Sequence, residues 1–143
     1  MPLISRSDCE LNAYDRTFFV VDVTFAYDPG DFPGGGWFGA ITNCCRVSAD
    51  DDRVSIRLEA WDDVPEEQRE PWADVASGVF RSETGEICAA ELYTDVQDGF
   101  LILGEPGRDW HVRAHTRTDD EADPREEFLF QFWPASTTEK PSF

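Results

Sequence analysis

Apolar and polar positions alternate with a period of two along most of this chain. The clearest stretch runs from Trp110 to Trp133, WHVRAHTRTDDEADPREEFLFQFW. Its first half sets Trp110, Val112, Ala114 and Thr116 against His111, Arg113, His115 and Arg117, the pattern of a half-buried strand. Its second half places Phe128, Phe130 and Phe132 on one side and Leu129, Gln131 and Trp133 on the other, so both faces are apolar except at Gln131, as in a strand covered on both sides. Between them lies the acidic loop DDEADPREE with Pro124 as breaker, and the whole predicts an antiparallel hairpin with a long charged tip.

The same period recurs upstream. TFFVVDVTFAY at 17–27 predicts a strand with Asp22 and Thr24 on its wetter face, followed by the Gly- and Pro-rich connection DPGDFPGGG at 28–36. WFGAITNCCRV (37–47) and RVSIRLEAW (53–61) predict a hairpin closed by SADDD, with Val54, Ile56, Leu58 and Ala60 in the core and Ser55, Arg57 and Glu59 in solvent. From 62 to 80 the period changes, and Pro65, Glu66 and Glu67 followed by Pro71 predict two short helical turns anchored by Trp72, Val75 and Ala76. SETG then predicts a turn pairing Val79 and Phe80 with residues 87–93, with Gly85 at positive φ. A strand at 100–103 and the turn GEPGRD lead into the Trp110 hairpin. Short strands between turn signals predict a mainly β fold, a single antiparallel β-sandwich or open barrel with one or two short helical turns. The expected domain covers 1–135, with a polar tail at 136–143.

Length and composition fit that picture. A chain of 143 residues with 41% apolar residues is globular, and folding hides roughly 65 to 70% of the surface of a chain this long. Charge narrows the partner. Thirty acidic residues against twelve basic ones give a net charge of −18, which repels nucleic acid and anionic membrane surfaces and steers a basic protein inward. Eleven of the twelve basic residues are Arg and only Lys140 is Lys, a bias expected of GC-rich coding. The N-terminus lacks the basic start and apolar run of a secretory signal, and no apolar stretch reaches the roughly 18 to 20 residues that span a bilayer, so the expected compartment is the cytoplasm. In that compartment Cys9, Cys44, Cys45 and Cys88 are expected as buried free thiols, and adjacent Cys44 and Cys45 should point to opposite faces of their strand.

No sequence motif carries catalysis, and no metal or cofactor is implied. His111 and His115 share a strand face about 13 Å apart, too far to hold one ion together. With Arg113 and Arg117 they form a cationic face whose simplest role is cross-strand pairing with carboxylates such as Glu126 or Glu91. The alternative role for His111, Arg113, His115 and Arg117 is a face for an anionic small molecule, in a binding or enzymatic β domain. Denser still are the acidic runs. Asp50, Asp51, Asp52, Asp62, Asp63, Glu66 and Glu67 fall in the first, and Asp119, Asp120, Glu121 and Asp123 in the second. Carboxylates clustered on loop tips can imitate a phosphate backbone and occupy the basic groove of a nuclease or toxin.

The C-terminal half, with W-x-V-R-x-H-x-R at 110–117, the charged tip and EEFLFQFWPA at 126–135, resembles small uncharacterised proteins of GC-rich bacteria. Through them it is similar to the competence protein J family, whose described member inhibits a partner nuclease. The resemblance covers roughly residues 50 to 135 and implies an antiparallel β domain acting as an inhibitor or immunity protein. It carries no binding residue onto this chain, and the glycines at 34–36 and the Cys44–Cys45 pair have no counterpart in it. The expected function is therefore a non-enzymatic, acidic, protein-binding domain that neutralises a basic partner by charge mimicry.

Overall fold

The structure, a computed structural model, describes residues 3–24, 36–66 and 72–135. Ten strands follow in chain order: β1 (Leu3–Asn12), β2 (Thr17–Asp22), β3 (Phe38–Ile41), β4 (Cys44–Ser48), β5 (Arg53–Trp61), β6 (Asp74–Ser82), β7 (Glu86–Glu91), β8 (Gln97–Ile102), β9 (Arg108–Thr118) and β10 (Glu126–Pro134). A 3-10 turn at Tyr14–Arg16 is the helical element among the described residues. None of these holds a helix long and apolar enough to cross a membrane.

The strands form two five-stranded sheets, one ordered β1-β5-β10-β9-β6 and the other β3-β4-β2-β7-β8. Period-two alternation explains why the sheets stack. Phe128, Phe130 and Phe132 of β10 point inward and are at most 2% exposed, and Phe18 of the facing sheet meets Phe128 edge-on at a centroid distance of 5.0 Å. Phe80 packs on Phe132 at 5.8 Å, and Val54, Ile56 and Leu58 fill the same interior. This is the β-sandwich expected from the pattern. The predicted hairpin of β9 and β10 is formed, with Phe130 opposite Ala114 and Phe128 opposite Thr116. Within an otherwise antiparallel arrangement, β10 runs parallel to β5, a pairing that periodicity cannot reveal.

Several local expectations need correction. The N-terminal segment is a ten-residue strand, β1, whose alternation is carried by Ser5, Ser7 and Cys9 rather than by large apolar residues. The stretch 37–47 breaks at Asn43, which takes φ 66°, into two short strands. β4 does not pair with β5, because the connection through Ala49 crosses from one sheet to the other. Likewise β6 and β7 belong to different sheets, and the SETG turn is a crossover. The expected helical turns are absent over 74–80, which is strand β6; residues 67–71, with Glu67, lie outside the described residues, as do 25–35 and the tail 136–143. In β6 the inward side is carried by Ala76, Gly78 and Phe80, and a Cβ on Gly78 would stand 3.3 Å from the Ala40 Cβ, so a small residue is what lets the two sheets meet at that edge. Small inward residues hide the period of two from a hydrophobicity count.

Asp22, expected on a wet face, is fully buried. Its carboxylate accepts hydrogen bonds from the Ser82 hydroxyl (2.6 Å), the Thr84 N–H and hydroxyl (2.8 and 2.9 Å) and the Thr24 N–H and hydroxyl (3.0 and 2.7 Å). Burial pushes its pKa up, but the donors outweigh burial and hold it down at about 2. It thereby ties the end of β2 to the β6–β7 crossover. The cysteines are free, Cys44 and Cys45 facing opposite sides of the strand as expected, and burial pushes the Cys9, Cys44 and Cys88 thiols up to about 12.

Candidate functional site

The acidic loops meet at one end of the sandwich. Arg125, at the base of the β9–β10 tip, donates to Asp120 at 2.9 Å and reaches across to both oxygens of Asp51 at 3.1 and 3.2 Å. Beside it, the buried Glu126 carboxylate accepts the N–H groups of Asp50 (2.8 Å) and Asp51 (2.9 Å), fixing the SADDD connection against the tip. Burial pushes the Glu126 pKa up, these two N–H groups pull it back, and the neighbouring Asp50 and Asp51 push it up again. The side chains of Asp50, Asp52, Asp119, Asp120, Glu121 and Asp123 are exposed, and Asp51 is half-buried.

Residues that sequence reasoning passed over join this end. The 3-10 turn docks on the same connection through the Ala13 N–H to Asp52 O (2.8 Å), the Ala49 N–H to Arg16 O (2.8 Å), and the Arg16 guanidinium to Asp50 O. Asp15 in that turn accepts the Tyr93 hydroxyl at 2.5 Å, and Tyr93 is 72% exposed, with Tyr14 exposed nearby in the chain. Asp15 and Tyr93 take φ values of 55° and 72°. Asp is among the residue types that enter the left-handed region more often than most, whereas Tyr carries no such signal.

Asp62 and Asp63 are exposed but follow the far end of β5, about 30 Å from Asp52 at a strand's ~3.3 Å rise per residue. Glu66 is also at that far side, where the carbonyls of Pro65 and Glu66 accept from the Arg113 Nη2 at 3.0 and 3.4 Å. The expected acidic set is thus divided between two places.

The cationic face lies elsewhere, on the outer side of the β1-β5-β10-β9-β6 sheet. Register arranges its side chains in rows: Glu10, Ser55, Glu127 and Arg117; Asp8, Arg57, Leu129 and His115; Arg6, Glu59, Gln131 and Arg113. Trp133 and His111 follow, their rings 5.4 Å apart. Arg117 pairs with Glu127 at 2.8 Å, so cross-strand pairing occurs as expected but with a carboxylate other than Glu126 or Glu91. Those two accept backbone N–H groups instead, Glu91 from Asn12 at 2.9 Å. Arg113 donates to the Gln131 carbonyl oxygen (3.1 and 3.2 Å) and lies over the Trp133 ring. His115 is 3% exposed beneath Trp72, its Nδ1 3.3 Å from Leu129 O, and burial pushes its pKa below the ordinary value.

Glu59, expected in solvent, is 8% exposed. Its Oε1 accepts both the Trp61 indole N–H (2.9 Å) and the Gln131 amide (3.1 Å). Gln131, the one polar residue in the apolar run 128–133, was the available signal for such a network. Next to it a groove of about 340 Å³ opens over Leu129, between Arg57 and Asp8 on one side and Trp72, Arg117 and Glu127 on the other.

Among solved structures, two are similar to this chain. One is described as ComJ, inhibitor of the DNA degrading activity of NucA, from Bacillus subtilis, with TM-score 0.71 over 94% of this chain and 100% of the other at 11% identity. The second is described as Crocagin biosynthetic gene J, with TM-score 0.67 over 95% of this chain and 100% of the other, again at 11% identity. No family model matches. No curated protein matches by sequence. The likeness shows a common fold.

Proposed function

We propose that this chain is a non-enzymatic inhibitor or immunity protein that binds a basic partner, a nuclease or toxin, through the acidic end of the sandwich. The observation that carries the reading is the Arg125 clamp, which brings Asp50, Asp51 and Asp52 together with Asp119, Asp120, Glu121 and Asp123 although the two runs are far apart in the chain. Like charges gathered at one end cost stability through repulsion, and a basic partner relieves that cost on binding. In a chain of net charge −18 the steering of a basic partner is strong at low salt and is screened as salt rises. The solved structure described as a nuclease inhibitor shares the fold, which supports a nuclease as the kind of partner. Carboxylates on loop tips present the charge that such an enzyme's groove receives from phosphates. The reading places the protein in the cytoplasm beside that partner, with no direct contact to nucleic acid or membrane.

A DNA-degradation assay over purified basic bacterial nucleases, including any encoded beside this gene, tests it. Stoichiometric protein should abolish the activity of at least one, and raising salt from about 50 to 500 mM should restore it as the screening length falls from roughly 14 to 4 Å. Inhibition of none, or inhibition indifferent to salt, overturns charge mimicry.

A further inference from the structure

We propose that the groove beside Glu59 receives a guanidinium or ammonium side chain of the basic partner, making a second contact on the outer face of the sheet. The partner as its source rests on the reading above; the cation pocket rests on the groove itself.

Glu59 is 92% withdrawn from solvent by its 8% exposure, yet only Oε1 is engaged, by Trp61 and Gln131. Among the described residues Oε2 has no hydrogen-bond or ion-pair partner, it is not sealed in, and Glu59 lines the groove. A carboxylate oxygen this deep is stabilised when it accepts a charged donor. The groove's own cations do not serve. Arg57 donates to Asp8 at 2.8 Å and Arg117 to Glu127 at 2.8 Å, so each guanidinium already has an opposite charge, and among the described residues Glu59 is the groove carboxylate without an ion pair. The walls suit a long cationic side chain as well. Leu129 supplies an apolar floor for its methylenes, and Trp72 stands at one side, already accepting Arg117 at 4.4 Å from its ring. An anionic occupant would instead meet three carboxylates (Asp8, Glu59, Glu127) and two guanidiniums that are both committed. Charge complementarity therefore selects a cation.

The test uses the full chain and N-acetyl-arginine methylamide, with N-acetyl-citrulline methylamide as the neutral isostere. In two-dimensional amide NMR the arginine compound at about 10 mM, above the ~1 mM range expected of a single side-chain contact, should shift Ser55, Glu59, Leu129 and the Trp61 indole N–H. The citrulline compound should not. Glu59→Gln keeps an acceptor for Trp61 and Gln131 but removes the charge, and should weaken binding by about tenfold or more. Shifts confined to the Asp119–Asp123 tip, equal response to citrulline, or no response overturns the groove assignment; because wild-type shifts decide this, a poorly folded variant does not blunt the test. No partner is present, so failure here leaves the acidic-end reading standing, and a bound arginine compound alongside a failed nuclease assay refutes the partner while keeping the pocket.

Discussion

Arg125 and Asp51, 74 positions apart in the chain, form an ion pair at 3.1 Å that holds two acidic loops at one end of the sandwich. Arg125→Ala makes the protein more negative, so net charge alone predicts tighter binding to a basic partner. If the clamp presents the surface, affinity should instead fall several-fold, with the melting temperature little changed because the Arg125 side chain is about half exposed and its ion pairs lie at the surface. Calorimetric titration with the inhibited nuclease separates the two.

The interior rests on β10. Phe130 is fully buried against Phe18 and Phe38, at 6.2 and 6.3 Å between centroids. Phe130→Ala should lose roughly 3 to 5 kcal/mol, a large part of the ~5 to 15 that a domain holds, and urea denaturation should show the midpoint lowered in proportion.

That strand was legible from its residues alone, since large aromatics at every second position leave no other burial. The hairpin it makes with β9 was legible too. Sheet membership was not: a turn such as SADDD or SETG reads the same whether it closes a hairpin or carries the chain across the sandwich, and both carry it across. Strands with small inward residues, Ser5 and Ser7 in β1 or Ala76 and Gly78 in β6, lacked the hydrophobic contrast that reveals a period. For the candidate site, charge density marked the loops, but only long-range contacts through Arg125 and Glu126 decide that Asp50–Asp52 join Asp119–Asp123 while Asp62 and Asp63 do not. Glu59 was hidden because its neighbours Ser55 and Arg57 are polar, and its burial depends on Trp61 and Gln131.

The β6–β7 crossover needs glycine. Gly85 takes φ 79°, and a Cβ there would stand 2.1 Å from the Gly104 carbonyl oxygen. Gly85→Ala should destabilise by about 2 kcal/mol or more, from left-handed backbone and forced movement of residue 104, read as a lowered urea midpoint.

Asp22 links stability to acid. Its folded pKa of about 2 lies below the ordinary 3.8, so its contribution is present above pH ~4 and is lost as pH falls through about 2. Asp22→Asn should be less stable than wild type by roughly 2 to 3 kcal/mol at pH 7. The gap between the two proteins should close between pH ~4 and ~2, and a gap unchanged across that window would mean the carboxylate is not held ionised by its donors.

In the proposed function the exposed carboxylates of the tip are the binding surface and not part of the scaffold. Asp119, Asp120, Glu121 and Asp123 changed together to Ser should leave the melting temperature nearly unchanged, or slightly higher through relieved repulsion. The decisive measurement is the affinity of this variant for the inhibited nuclease at about 100 mM salt, with its salt dependence. A loss of about tenfold or more, with a slower association rate and a shallower salt slope, is the expected result. Unchanged affinity per folded molecule, whether the variant stays folded or unfolds, would contradict it.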